Sequence, residues 1–291
     1  GVVKTMDRNE ILELERTALE VRKDVVRMIG LSRAHSLGSS LSLVDILVSL
    51  YFSLLSIRPE DPKWQDRDRF ILGKTNACPA LYAVLARKCF FDREELWSYR
   101  RLGAMLQGTQ DPRRTPGVEA PGGNPGMGLG IANGVALGCR MNKTAARVFC
   151  LVGDGELNEG SVWESVMTAY RYKLTNLHAI VEVNGTRMGS PLDGPISLSE
   201  LERRFAAFGW KTYRADGHCF KSLLGTLEEM AENPLGPSVL LAETQWGRGV
   251  PSMENGGGKY LNPPNREKVE KALHELERAG KDLEEEYRDE S

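Results

Sequence analysis

The sequence predicts an α/β protein built on a parallel sheet, and two observations carry that prediction. Short apolar runs, "RVFCLV" (147–152), "LHAIVEV" (177–183) and "SVLLAET" (238–244), have the length and near-continuous hydrophobicity of strands buried on both faces. Between the first two, Val162, Val166, Ala169 and Tyr170 recur at helical spacing within 161–172. Strand, helix, strand in that order is a βαβ unit, whose crossover is right-handed.

Along the chain, residues 8–30 read as a helix. Ile11, Leu14, Ala18, Val21, Val25 and Met28 step by three and four, and Gly30 stops the pattern. "SLVDILVSLYFSLL" (42–55) is a second helical stretch, apolar on all sides and therefore expected inside the core. From 102 to 134 the texture changes. Glycine and proline are dense there, and "EAPGGNPGMGLGIANG" excludes a regular element throughout. A loop-rich stretch of that length inside a compact domain points to function. The tail, 266–291, is rich in Glu and Lys and reads as a solvated helix fraying toward its end, with contact to another chain as the alternative. Without repeats or a low-complexity linker, residues 1–291 are expected to form a single domain.

Composition narrows the function classes. A formal net charge of −2 offers no basic excess to neutralise phosphates, so no nucleic-acid partner is expected. No apolar run approaches the roughly 18 residues of a membrane span, and the N-terminus is too charged for a secretory signal. Five cysteines without a C-x-x-C pair suggest reduced, mostly buried thiols and a cytoplasmic setting.

The chemistry gathers at "LVGDGELNEG" (151–160), where acids and glycines follow an apolar run directly. Ligands in parallel sheets collect beyond the carboxyl ends of the strands. Asp154 lies just past one such end, and Asn184, thirty positions on, lies just past the next. A βαβ crossover of that size brings the two ends side by side, converging a carboxylate and an amide oxygen. That pair suits a hard cation such as Mg²⁺ with room left for water and phosphate. Gly153 and Gly155 permit close approach, and the helix starting near Ser161 aims its N-terminal amides at the same region. Taken singly, "GDG" reads equally well as a tight surface turn and "VNG" as a hairpin turn.

As a pair at this spacing they resemble the thiamine-diphosphate fingerprint. "DRDRFILGK" (66–74), "PALYAVLA" (79–86), "LQGTQDPRRTPGVE" (106–119), "GDGELNEGSVWES" (153–165), "YKLTNLHAIVEVNG" (172–185) and "FGWKTYRADGH" (208–218) look like the N-terminal half of transketolases. The likeness runs from about residue 10 to residue 260 and is greatest to the short first subunit of two-chain transketolases. It implies a doubly wound, mostly parallel sheet with helices on both faces, the diphosphate-binding domain of the thiamine-diphosphate fold. In such proteins Asp154, Asn184 and the main-chain oxygen of Thr186 would hold Mg²⁺ (or Ca²⁺ or Mn²⁺). Gly155 would contact the diphosphate, and Gly153 and Glu156 count with it among the cofactor-binding residues. The segment 122–128 matches one beside the cofactor's pyrimidine, which places Gly123 and Pro125 there, with Pro125 where the family has leucine. Glu159 matches a family acid at the site and is the candidate catalytic carboxylate, with a helix-cap role as its alternative.

The resemblance also implies a partner. The family's catalytic glutamate sits on a pyrimidine-binding domain that follows where this sequence stops. A second subunit carrying that domain, in an α₂β₂ assembly, is therefore expected. The active-site histidines depart from the family pattern. Its "K-G-H-A" stands as Lys74-Thr75-Asn76-Ala77 and its "Q-G-H-P" as Gln107-Gly108-Thr109-Gln110, which puts Asn76 and Thr109 at cofactor-binding positions. A histidine after "M-E-N" falls near Tyr260, and an early one falls at Ser36 of "AHSLGSSLS" (34–42), with candidate catalytic His35 one residue before it. Of the others, His178 lies inside a strand, His274 on the charged tail and His218 in a structural "D-G-H" segment. The expected function is ketol transfer from a carbonyl donor to an acceptor, with a specialised substrate: smaller, unphosphorylated or carrier-bound. The alternatives are a 2-oxo acid decarboxylase with acyl or acyloin transfer, or a non-catalytic scaffold subunit.

Overall fold

A computed structural model describes residues 7–187, 190–191, 197–233, 235–254 and 262–289. The chain opens with α1 (Arg8–Ser32), capped by Asp7, whose side chain accepts from the Asn9 N–H. Next come α2 (Leu37–Leu41) and α3 (Val44–Ser49), the latter ending in a widened turn, Leu50–Leu54. Strand β1 (Arg69–Leu72) and α4 (Cys78–Arg87) follow, then the glycine-rich stretch and α5 (Gly128–Met141). The expected βαβ unit is present as β2 (Val148–Gly153), α6 (Gly160–Arg171) and β3 (Leu177–Val183). Beyond a two-residue ladder of β4 (Thr186–Arg187) and β5 (Ser190–Pro191) lie α7 (Leu198–Ala207), β6 (Lys211–Asp216) and α8 (Phe220–Ala231). The chain then forms β7 (Ser238–Glu243), α9 (Pro251–Glu254) and α10 (Arg266–Asp289).

The main sheet has order β1-β2-β3-β7-β6, and every pair is parallel. Alternation along the strands sorts the core into two layers. Phe149, Leu151, Ile180 and Leu240 face α1, α3, α4 and α8. Val148, Cys150, Val152, Val181 and Leu241 face α5, α6 and α7. Helices thus cover both faces, which makes the fold doubly wound.

One expectation is refined and two need correction. The stretch 102–134 is irregular up to Gly128, where α5 begins as expected of a segment not regular throughout; there Gly128 closes on Gly73, Gly130 abuts the Ser165 hydroxyl, and Asn133 Nδ2 donates to the Ser165 carbonyl (2.9 Å). The tail helix is not simply solvated. Val269, Ala272, Leu273 and Leu276 form a stripe that packs into the α1 side of the core, with Ala272 and Leu276 buried. One stretch, Leu37–Leu54, does reach 18 residues at a mean hydropathy of 1.6, long and apolar enough to cross a membrane. It is 83% buried within the protein, divided between α2, α3 and the widened turn, and it serves as core.

Candidate functional site

The βαβ unit delivers the expected convergence. β2 ends at Gly153, whose register partner on β3 is Glu182. Asp154 opens a tight turn, Asp154–Asn158, and is 8% exposed. Its Oδ2 accepts from the backbone N–H groups of Asn184 (3.0 Å) and Gly185 (2.7 Å), and its Oδ1 from that of Gly155 (2.8 Å). The two turns that sequence spacing brought together are therefore locked by one carboxylate. Burial raises the Asp154 pKa, opposed by the Gly185 N–H and reinforced by the nearby Glu182 charge. An ionised carboxylate has about four acceptor directions; three are taken, and one remains on Oδ1. Strand β4, which starts at Thr186, packs against the Asp154–Asn158 turn and brings the Thr186 main chain to the same edge.

Glu156 departs from its expected role at the cofactor. Its Oε1 accepts from the Gly126 N–H (3.0 Å) and its Oε2 from the Gly153 N–H (2.8 Å). With both oxygens engaged by backbone and the group 7% exposed, it clamps the glycine-rich loop to the end of β2. Burial raises its pKa against those two N–H bonds. A buried carboxylate repels a diphosphate, and its two N–H bonds tie Gly126 to Gly153, so this side chain is assigned to holding the loop. Gly126 adopts φ 85°, and a Cβ there would lie 2.6 Å from the Cβ of half-buried Glu159. Only glycine allows the loop to pass so close. Ser161, at the start of α6, donates its hydroxyl to the Gly126 carbonyl (3.1 Å), so the helix N-terminus abuts this loop.

The remaining residues form a rim. Thr75 Oγ1 donates to the Gly123 carbonyl (3.1 Å) and accepts its N–H (3.3 Å). A Cβ on Gly122 would meet Thr75, Gln110 and Thr109 within 3.1 Å, so three loops touch there. Helix α2 packs against the Thr75–Ala77 turn. His35, Asn76, Thr109, Gly123 and Pro125 are all exposed at this edge of the chain. Ser36 is half-buried with a left-handed φ of 75°, and its carbonyl accepts both the N–H and the hydroxyl of Ser40. Tyr260 lies outside the described residues. His178 is buried at the opposite end of β3 and bonds Ser238 (2.8 Å), and His274 is exposed on α10. His218 bridges Asp45 Oδ2 (2.7 Å) and the Gln245 N–H (2.7 Å).

Sequence reasoning passed over two participants, Lys74 and Glu182, which form an ion pair beside Asp154. A single acid in the buried strand 177–183 was the available signal. Among the described residues no group of three or more His, Cys, Asp or Glu could hold a metal ion. The donors here are one carboxylate, one carboxamide and a main-chain oxygen. That set fits Mg²⁺ in company with phosphate oxygens and water.

The family described as "Transketolase, thiamine diphosphate binding domain" matches residues 18–282. The chain is 34% identical over 269 residues to the 6-deoxy-6-sulfo-D-fructose transketolase subunit SqwG of Clostridium sp. (strain MSTE9), covering 92% of this chain and 98% of the relative. It is 31% identical over 277 residues to an apulose-4-phosphate transketolase subunit of Phocaeicola vulgatus, covering 95% and 98%. The crystal structure of transketolase from Campylobacter jejuni superposes with a TM-score of 0.81 at 26% identity, covering 93% of this chain and 43% of that one.

Proposed function

The chain belongs to the transketolase family, in its thiamine-diphosphate-binding domain, and from that premise we propose that it is the diphosphate-binding subunit of a two-chain enzyme that moves a ketol unit from a carbonyl donor to an acceptor. The observation that carries the reading is the Asp154 carboxylate, bonded across the ends of β2 and β3 to the Asn184 and Gly185 N–H groups. Asp154, the Asn184 carboxamide oxygen and the Thr186 main-chain oxygen would hold Mg²⁺. Gly153 and Gly155 would receive the diphosphate, and Gly123 and Pro125 would flank the pyrimidine. Bound thiamine diphosphate supplies the carbanion chemistry, and the protein supplies binding and orientation.

What this chain adds is mainly placement. Glu156 fixes the glycine-rich loop, and Glu159 and His35 are its titratable groups available to the reacting atoms. Asn76 and Thr109 can hydrogen-bond a substrate at the rim but cannot titrate near neutral pH. The partner is a second subunit with the pyrimidine-binding domain and its glutamate, in an α₂β₂ assembly in the cytoplasm; relatives named as subunits support that reading. Relatives named for a sulfonated ketose and for apulose 4-phosphate support a specialised sugar substrate. The test is to purify the chain alone and with the partner, then measure ketol transfer with thiamine diphosphate and Mg²⁺. Turnover is expected only from the assembly; turnover by the lone chain would overturn the division of the site.

A further inference from the structure

Glu182 is fully buried, and its two oxygens face different partners. Oε2 is ion-paired with Lys74 Nζ, whose stem passes over Gly153 at the end of β2. Oε1 accepts from Asn184 Nδ2 (3.1 Å) and from Thr244 Oγ1 (3.1 Å). An ionised carboxylate has no hydrogen to give, so the Asn184 carboxamide must turn its nitrogen toward Glu182. Its oxygen then lies on the opposite side of the same planar group. Without Lys74, the Glu182 anion two residues from Asn184 would be a stronger cation ligand than the amide. With Asp154 and Glu156, three buried carboxylates face this one largely buried ammonium, leaving a formal charge of −2, the complement of one divalent ion.

We propose that Glu182 is a positioning residue, fixing the Asn184 carboxamide with its oxygen presented to the cation, and that Lys74 is its built-in counter-charge, keeping Glu182 from taking the cation itself. The inference rests on the reading of Asp154 and Asn184 as cation ligands. Partners one layer behind metal ligands typically govern affinity by about 10–100-fold.

The test uses the chain assembled with its partner and thiamine diphosphate, titrated with Mn²⁺ followed by electron paramagnetic resonance. Glu182→Gln keeps an acceptor for Asn184 but leaves the Lys74 charge unneutralised beside the cation; Mn²⁺ affinity should fall about tenfold or more. Lys74→Met/Glu182→Gln removes that charge and keeps the acceptor, so affinity should recover to within about threefold of the unmodified protein. Lys74→Met/Glu182→Met keeps the volume without the acceptor, and affinity should fall about tenfold again. Melting temperatures without Mn²⁺ separate loss of folding from loss of the ion. Glu182→Gln binding as well as the unmodified protein, or no recovery in Lys74→Met/Glu182→Gln, would overturn the counter-charge role. Equal affinity in the two double variants would overturn the orienting role. Comparing Glu182→Gln with Lys74→Met/Glu182→Gln decides the counter-charge role even if Lys74→Met/Glu182→Met does not fold, and Lys74→Met/Glu182→Leu then repeats the test of the orienting role. An unmodified assembly that binds no Mn²⁺ would instead refute the cation site itself.

Discussion

Asp154→Asn removes one charge from the site and changes its shape little. The native carboxylate accepts three backbone N–H bonds, from Gly155, Asn184 and Gly185. The asparagine oxygen can still serve Asn184 and Gly185, but its amide nitrogen then confronts the Gly155 N–H. One stranded buried donor costs about 1–3 kcal/mol. Acting the other way, the variant has no charge to bury, and burial is what raises the Asp154 pKa in the native chain. The two effects oppose each other, so the melting temperature of the metal-free chain should move by no more than about 4–6 °C. Cofactor binding has no such compensation. The carboxylate is the one charged donor in the proposed cation set, and its loss should weaken thiamine diphosphate by at least about tenfold, or about 1.4 kcal/mol. Calorimetric titration of the assembled protein at saturating Mg²⁺ measures this, with scanning calorimetry of the metal-free chain as the folding control. An unchanged affinity in a folded variant would refute Asp154 as a cation ligand.

Other consequences follow from single residues. Burial, helped by the Arg147 charge, lowers the His178 pKa from 6.5 to about 4. As pH falls the unfolded chain takes up this proton first, so stability is complete above about pH 6.5 and declines toward pH 4, by on the order of 3 kcal/mol. His178→Gln should flatten that part of the profile in urea titrations, and an unaltered slope would show the histidine is not its source. Gly38→Ala would place a Cβ 2.3–2.6 Å from the Trp246 indole, and overpacking of this kind costs about 1–3 kcal/mol, readable as a lower urea midpoint. The proposed alignment sets Ser36, Asn76, Thr109 and Tyr260 where the family has histidines, and on it xylulose 5-phosphate should be a donor about a hundredfold poorer than in ordinary transketolases. Comparable turnover in a coupled assay would show those histidines to be dispensable.

The parts of the fold legible in the sequence are those with unmixed signals. The run 177–183 coincides with β3, and 147–152 differs from β2 by one residue at each end. The convergence of Asp154 and Asn184 followed from crossover geometry alone. β6 escapes such a reading because it is an edge strand whose exposed Lys211, Arg214 and Asp216 dilute the apolar pattern. In α5, glycines at 128, 130, 134 and 138 lower helix propensity, and only Gly128 and Gly130 lie where the helix packs closely on its neighbours. In α10 the apolar stripe is narrow and set among charges. Lys74 could not be tied to Glu182 by local pattern, since 108 positions separate them. His35 is exposed on the rim with Asn76 and Thr109, a placement that the one-residue offset of its motif left open.

The seating of α10 on α1 also bears on how this chain comes to be folded in time. Arg16 forms a two-pronged ion pair with Glu284 (2.7 Å to each oxygen) across 268 positions, and the Tyr287 hydroxyl donates to Glu15 (3.2 Å). Once synthesised, α1 therefore waits for α10, whose pairing residue lies 268 positions later. At about 5–20 residues per second, the interval is roughly 13–54 s. Throughout it, the face of α1 that Ala272 and Leu276 will cover has no native partner, while the parallel sheet, slow to form in itself, assembles beside it. Deleting α10 should therefore raise the yield of aggregated nascent chain more than it lowers the stability of molecules that do fold. Its loss removes the cover from a surface already exposed throughout that interval.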